Sequence, residues 1–324
     1  MSTFTLTRQL PEDATYAALR ADVWTGLTAH PKWLPPKWFY DARGSELFEE
    51  ITRLPEYYPA RAERAVLCRE SSAIAAETGA RTLVELGSGS SEKTRLLIDA
   101  LRAAGTLTDY VPVDVSGSAL QRAGRVLHAD YPGLTVHALV ADFTVRLDLP
   151  PTAGPRLVAF LGSTIGNLLP TERAAFLSSL RATLRPGDAL LLGTDLVKDE
   201  QLLVAAYNDA SGVTADFNKN VLAVVHRELG ADFDPDDFDH VAVWNREQEW
   251  IEMRLRARTA LTGTIPAVGL AVRFAEGEEL RTEVSAKFRE PGLRSELADA
   301  GLKLTHWWTD SEGRFALSLA QPDS

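Results

Sequence analysis

The chain has 324 residues, 45% of them hydrophobic and 24% charged, with 45 acidic against 34 basic side chains and a formal net charge of -11. A chain of this length removes roughly 75% of its unfolded surface from water on folding, so neither disulfides nor a structural metal are needed to hold it. The acidic balance disfavours a nucleic-acid partner. No basic start leads into an apolar stretch and no run approaches the about eighteen apolar residues of a membrane span, so a soluble, cytoplasmic protein with no membrane partner is expected; a monomer is expected as well.

Taken in chain order, residues 1–61 show no regular strand–helix alternation. From 62 to 196, short β-rich apolar runs alternate with helical patterns, as a parallel sheet with crossover helices requires. The helical stretch at 61–77 contains Cys68, expected as a buried, inert thiol in a reducing compartment. TLVEL (82–86) is the first strand candidate, then a helix over 91–104, YVPVDV (110–115), a helix over 116–130, TVHALV (135–140) and RLVAFLG (156–162). A helix over 170–184 opens with the start signals Pro170, Thr171 and Glu172, and ALLLGTDL (189–196) follows. Residues 197–286 break the alternation and include EWIEMRLRART and LAVRF, after which a helix (293–300), a strand (302–309), a DSEG turn and a strand (314–320) suggest an antiparallel hairpin. The expected fold is α/β, a Rossmann-like doubly wound sheet over 62–196 and 287–324 ending in that hairpin. Residues 1–61 and 197–286, each too small alone to bury a good core, are expected to combine into a second, α+β domain that binds substrate.

Glu85-Leu86-Gly87-Ser88-Gly89 follows a strand and leads into a helix. Gly87 and Gly89 let the backbone approach a ligand where helix-terminal N–H groups are unpaired. A dinucleotide fingerprint would need a third glycine where Glu92 stands. Glu85 before G-x-G is instead the pattern of the loop that receives the methionine end of S-adenosylmethionine. Asp114 ends the next strand, 25 residues beyond Gly89, where a carboxylate can accept ribose hydroxyls of NAD or of S-adenosylmethionine alike. Asp142-Phe143 ends the strand after that, a placement suited to an adenine.

Beyond these motifs, PPKWFYDARGSELFEEITRLPEYYPAR (35–61), ELGSGSSEKTR (85–95), FLGSTIGNL (160–168), LLLGTDLVKD (190–199), FNKNVLAVVHREL (217–229) and TEVSAKF (282–288) resemble the histidine-specific, S-adenosylmethionine-dependent Nα-methyltransferases of bacterial ergothioneine biosynthesis. The resemblance spans nearly the whole chain and is weakest in the first thirty residues, near 100–110 and over 262–280. It implies three methylations of the α-nitrogen of L-histidine, giving hercynine. By position, it implies that the glycine loop and Lys93 hold the amino-acid end of S-adenosylmethionine, and that Asp114, Asp142 and Phe143 hold its nucleoside. It assigns Asn167 and Tyr207 to the substrate carboxylate, the Gly162 backbone with Tyr40, Phe48 and Tyr57 to the amine, and Met253, Glu283 and Ser285 to the imidazole.

The residues themselves leave alternatives beside these roles. Glu283 and Ser285 lie two apart on a strand pattern and share a face, but Glu283 also reads as a solvated strand residue. Met253, in phase with Ile251 and Leu255, reads equally as core; Tyr57 reads as packing in a Pro-bounded turn, and Asn167 after Gly166 as a turn residue. The six histidines show no ligand spacing, so no metal is expected. No His presents itself as a dedicated base, which leaves water or Tyr40 as the proton relay. A methyltransferase for another amino acid or amine remains open, as does a binding protein that senses S-adenosylmethionine or histidine.

Overall fold

A computed structural model describes residues 3–11, 13–89, 91–144 and 148–323. In chain order the elements are β1 (Phe4–Arg8), α1 (Ala14–Thr28), α2 (Ala42–Arg53), α3 (Tyr58–Thr78), β2 (Thr82–Leu86), α4 (Arg95–Ala103), β3 (Asp109–Asp114), α5 (Gly117–Asp130), β4 (Thr135–Val140), β5 (Arg156–Phe160), α6 (Pro170–Thr183) and β6 (Ala189–Asp195). They continue as α7 (Glu200–Ala206), α8 (Val213–Leu229), β7 (Phe238–Asn245), β8 (Trp250–Ala257), β9 (Leu261–Ile265), β10 (Leu270–Phe274), β11 (Glu279–Ala286), α9 (Glu290–Asp299), β12 (Leu302–Thr309) and β13 (Phe315–Pro322). The chain divides into two units, Met1–Pro11 with Ala62–Leu196 and Phe288–Ser324, and Glu12–Arg61 with Val197–Lys287.

The first unit is built on one eight-stranded sheet in the order β1-β4-β3-β2-β5-β6-β13-β12. Strands β1 to β6 pair in parallel, whereas β13 runs antiparallel to β6 and β12 antiparallel to β13. This is the doubly wound sheet with a closing hairpin expected from the sequence. Strands β2, β5 and β6 are buried along their whole length, which is why they read as unbroken apolar runs rather than as alternation. The strand order reverses between β2 and β5, so the carboxyl ends of these strands and their neighbours form the crevice where open α/β sheets take ligands.

Two sequence expectations are corrected in this unit. Phe4–Arg8, placed above with the second domain, is an edge strand of the first, in register from Phe4↔Val136 to Arg8↔Val140. Its apolar anchor is Phe4, packed on Leu120, Ala138 and Val140, and the remaining four residues are exposed. Gly124 on α5 makes room for it, since a Cβ there would stand 2.3 Å from the Phe4 ring. Cys68 is exposed rather than buried: the apolar face of α3 runs through Val66, Leu67, Ile74 and Ala75, and Cys68 falls outside it.

The second unit packs α1, α2, α7 and α8 with a three-stranded antiparallel sheet, β11-β8-β7, and a two-stranded hairpin of β9 and β10. Its core joins Val23 and Leu27, Phe39, Leu47 and Ile51, Phe217 and Val221, and Ile251, Met253 and Leu255. Close packing of α2 depends on Gly44, where a Cβ would stand 1.6 Å from the Phe39 carbonyl oxygen. Among the described residues no helix is long and apolar enough to cross a membrane.

Candidate functional site

At the carboxyl end of β2 the chain turns through Gly87 and Gly89, both at positive φ (68° and 49°), and α4 begins only at Arg95. Lys93 therefore lies in the turn before the helix. Glu85 points inward from the strand and accepts hydrogen bonds from Thr94 Oγ1 and Tyr110 OH. Burial pushes its carboxyl up to about 7, against the opposing pull of those two donors and of the Lys93 charge. Ser88 Oγ, in the middle of the loop, is buried without a hydrogen-bond partner among the described residues.

The neighbouring strand ends converge on this loop. Asp114 accepts from Gly89 N–H at 3.2 Å and from Ser116 N–H at 2.9 Å, and burial raises its carboxyl above the ordinary range although these N–H groups lower it. Past β4, Asp142 Oδ1 accepts from Thr144 N–H and Oγ1, at 2.9 and 2.5 Å. Phe143 sits edge-on to Phe160, 5.2 Å between centroids, and 3.6 Å from where a Gly87 Cβ would be. Past β5, Gly162 and Ser163 take left-handed conformations and Asn167 closes a 3-10 turn over Thr164–Asn167.

Glu63, on α3, was not singled out from the sequence. Its side chain is fully buried. One carboxylate oxygen accepts from Gly162 N–H at 2.7 Å and the other pairs with Lys93 Nζ, so it ties the turn after β2 to the turn after β5. No local pattern marks Glu63, because its partners lie 30 and 99 residues away in the chain. Gly193 on β6 makes room for it, since a Cβ there would stand 2.2 Å from the carboxylate as it is placed.

In the second unit, the aromatic residues form one chain of edge and tilted contacts. Tyr40 meets Phe48 at 5.5 Å, Phe48 meets Tyr57 at 6.1 Å, and Tyr57 meets Tyr207 at 6.3 Å between centroids. Phe217 on α8, also missed, packs on Tyr40 and Phe48 at 5.4 and 5.9 Å. Arg61 fixes the turn that carries Tyr57 by donating to the carbonyls of Leu54, Pro55 and Tyr57. Asp41 caps α2 through Gly44 N–H and accepts from Asn220 and Arg227. Burial alone would raise its carboxyl, but these donors hold it below the usual range.

A β-bulge sets the face on which Glu283 and Ser285 stand, and Ser285 meets the end of this aromatic chain. In β11 the register passes from Arg281↔Arg254 to Glu283↔Met253, leaving Thr282 as an extra residue. Without it, Glu283 would face Glu252, on the side where Glu252, Arg254, Arg256 and Glu279 form ion pairs. With it, Glu283 stands opposite the buried Met253 and Ser285 opposite Ile251, and Ser285 Oγ lies 2.8 Å from Tyr207 OH. The bulge is pinned by Thr282 Oγ1, which donates to Asn218 Oδ1 and to the Met253 carbonyl. Asn218 Nδ2 in turn meets the Arg254 carbonyl and His240 Nδ1, while His240 Nε2 bonds the Tyr207 carbonyl at 2.8 Å. Burial lowers the His240 pKa, although the Tyr207 carbonyl opposes the shift.

Thus Gly87, Gly89, Lys93, Asp114, Asp142, Phe143, Gly162 and Asn167 gather at consecutive strand ends of the first unit, and Tyr40, Phe48, Tyr57, Tyr207, Met253, Glu283 and Ser285 gather in the second. A family model described as histidine-specific methyltransferase, SAM-dependent, matches residues 19–322. The chain belongs to this family. It is 59% identical to a histidine N-alpha-methyltransferase of Mycolicibacterium smegmatis, over 98% of this chain and 99% of that protein, and 56% identical to one of Mycobacterium tuberculosis, over 96% and 97%. It is also 30% identical to ergothioneine biosynthesis protein 1 of Neurospora crassa, over 86% of this chain and 32% of that longer protein. As a member of the family of histidine-specific methyltransferases, it is an S-adenosylmethionine-dependent methyltransferase.

Proposed function

We propose that the protein transfers methyl groups from S-adenosylmethionine to the α-amino nitrogen of L-histidine, three times in succession, giving Nα,Nα,Nα-trimethylhistidine (hercynine) for ergothioneine biosynthesis. The observation that carries this reading is the bulge at Thr282, which turns a carboxylate and a hydroxyl onto one wall beside the aromatic chain, a pair suited to the two nitrogens of an imidazole. The near full-length similarity to two proteins named histidine N-alpha-methyltransferase supports it.

The first unit fits the methyl donor. Two glycines at positive φ and the unpartnered Ser88 Oγ suit the amino-acid end together with Lys93, Asp114 suits the ribose, and Asp142 with Phe143 suits the adenine. When bound, S-adenosylmethionine supplies a methyl group already activated by its sulfonium, so the protein's task is to hold an amine lone pair about 3–3.5 Å from it. In this reading the second unit is the substrate domain. Asn167 and Tyr207 hold the carboxylate, the Gly162 carbonyl with Tyr40, Phe48 and Tyr57 surrounds the amine, and Met253, Glu283 and Ser285 surround the ring. In this reading Tyr40, whose 40% exposure leaves it open to water, passes on the ammonium proton before each transfer. The amine gains bulk and finally a permanent positive charge, which aromatic faces stabilise. The reading extends to a cytoplasmic monomer that needs no metal.

Purified protein incubated with S-adenosylmethionine and a panel of amino acids tests this by mass spectrometry and NMR. Histidine alone should gain three methyl groups, all on the α-nitrogen. A single methyl, methyls on the ring, or preference for another amino acid would overturn the assignment.

A further inference from the structure

Tyr207 is the first residue past α7, a helix of only seven residues, and its own carbonyl lies beyond the helix ladder. That carbonyl lies 2.8 Å from His240 Nε2 on β7. The other ring nitrogen, Nδ1, lies 2.8 Å from Asn218 Nδ2 on α8. The two ends of this chain fix the proton on the ring. Asn218 Nδ2 also donates to the Arg254 carbonyl on β8, and Asn218 Oδ1 accepts from Thr282 Oγ1 on β11. The amide therefore turns its N–H group toward His240, and Nδ1 accepts. The Tyr207 carbonyl can only accept, so Nε2 carries the proton. His240 is thus a neutral imidazole in one tautomer, a state that burial also favours by lowering its pKa. A second proton would set Nδ1–H against the N–H of Asn218.

We propose that His240 is a positioning residue: it holds the backbone of Tyr207 to β7, and so sets where the Tyr207 hydroxyl meets the carboxylate of the substrate. The inference rests on the histidine reading above, in which Tyr207 takes that carboxylate. The tip of the Tyr207 side chain meets Ser285 Oγ and Lys287 Nζ, at 2.8 and 2.9 Å. Its backbone is tied separately, through His240. Holding both ends of the residue fixes the direction from which its hydroxyl addresses a ligand, whereas releasing the carbonyl lets the ring tilt about its tip. Other ties of this corner bear on different points. Arg246 and Glu200 pair at the start of α7, but both are exposed and such a pair adds little. Asp209 caps α8 through the N–H groups of Val213 and Thr214, which anchors the helix that follows. Asn218 links the two halves of the arrangement. One side of its amide pins the bulge that turns Glu283 and Ser285, and the other orients the imidazole that holds Tyr207.

The test compares L-histidine with L-histidinol, which keeps the amine and the imidazole but carries a hydroxymethyl group in place of the carboxylate. Both are titrated calorimetrically into the full-length protein saturated with S-adenosylhomocysteine, and the ratio of their affinities isolates the carboxylate. Tyr207→Phe sets the scale: loss of one hydrogen bond to a charged group should lower the ratio about tenfold or more. Two variants of His240 separate its two bonds, since a glutamine amide reaches the place of Nε2 and an asparagine amide ends at that of Nδ1. His240→Asn should lower the ratio about fivefold through misplacement of Tyr207, whereas His240→Gln should keep it within about twofold of the wild type. Affinity for L-histidinol and for S-adenosylhomocysteine should be unchanged in both. Should His240→Asn fail to fold, His240→Met fills the space while making neither bond, and should lower the ratio as far. A loss shared equally by histidine and histidinol overturns the inference, because it marks a role in the fold alone. An asparagine variant equal to the glutamine one, whether both keep the ratio or both lose it, overturns it as well. A Tyr207→Phe ratio equal to that of the wild type instead overturns the assignment of Tyr207 on which the inference rests.

Discussion

The first unit assembles its candidate residues from the ends of consecutive parallel strands and the turns that follow them, whereas the second draws them from the turn before α2, α2 itself, the turn before α3, the residue after α7, β8 and β11. In the first, the glycine loop and the acids after it follow from local sequence, because a strand that stops at the crevice must place its next side chain there. In the second, the face on which Glu283 stands depends on one unpaired residue, Thr282, and on Asn218 from a helix some sixty positions earlier. A site of the first kind tolerates the loss of a single ligand-facing side chain, while one of the second kind depends on groups that touch no ligand.

The largest effect should therefore come from Asn218→Ala. Asn218 is fully buried and holds Thr282, His240 and the Arg254 carbonyl. Its loss leaves at least two buried polar groups unsatisfied, at about 1–3 kcal/mol each. Denaturant unfolding should show a loss of about 2–5 kcal/mol, and histidine affinity in the surviving folded fraction should fall more than S-adenosylmethionine affinity. Equal losses for the two ligands would break the contrast between the units.

Next in size is a pH effect in the first unit. Because Glu85 has its folded-state pKa raised to about 7 by burial, its contribution to stability is fully present below the ordinary glutamate range and is lost as pH rises toward neutrality. Glu85→Gln is neutral at every pH and escapes this loss. The stability of the variant relative to the wild type should thus rise by up to ~3 kcal/mol between pH 4.5 and pH 8. Urea melts at the two pH values check it, and a difference that stays constant or moves the other way would refute the buried, protonated carboxyl.

The same contrast explains what could be read in the chain. Strands β2 to β6 and the closing hairpin were legible because strands buried on both faces must be apolar throughout, and glycine and proline mark their ends. β1 was not, since one aromatic anchor and four exposed residues carry no periodicity. Glu63 and His240 owe their positions to partners far along the chain, so nothing near them in sequence gives a sign. Lys287 differs: it follows Glu283 and Ser285 at the same two-residue spacing, and extending the alternation by one more step would have found it. The bulge itself was invisible, because a two-residue spacing predicts that Glu283 and Ser285 share a face but not which face.

A third prediction concerns the crevice. Asp114→Ala removes a carboxylate that accepts from Gly89 and Ser116 and that in our reading takes two ribose hydroxyls. S-adenosylmethionine affinity should drop by about 3 kcal/mol, the upper end for charged hydrogen bonds, with the fold and histidine recognition retained. Calorimetric titration showing unchanged cofactor affinity would remove this strand end from the site.

The smallest effect in energy bears most directly on substrate choice. Glu283 is half-buried within the bulged strand and stands across from Met253, so it has an apolar neighbour on the same face whichever substrate is bound. Glu283→Ala should weaken histidine binding by only about 1.5 kcal/mol, the lower end for a charged hydrogen bond to a single N–H. Cofactor affinity should be unchanged, because the cofactor residues belong to the other unit. The informative quantity is a ratio. A carboxylate that must be desolvated without a partner penalises an apolar ring, so its removal should narrow discrimination between histidine and tryptophan even as activity on histidine falls. If kcat/KM for the two amino acids keeps the wild-type ratio, Glu283 is a solvated strand residue, and of the polar pair turned by Thr282 only Ser285 is left to read the substrate ring.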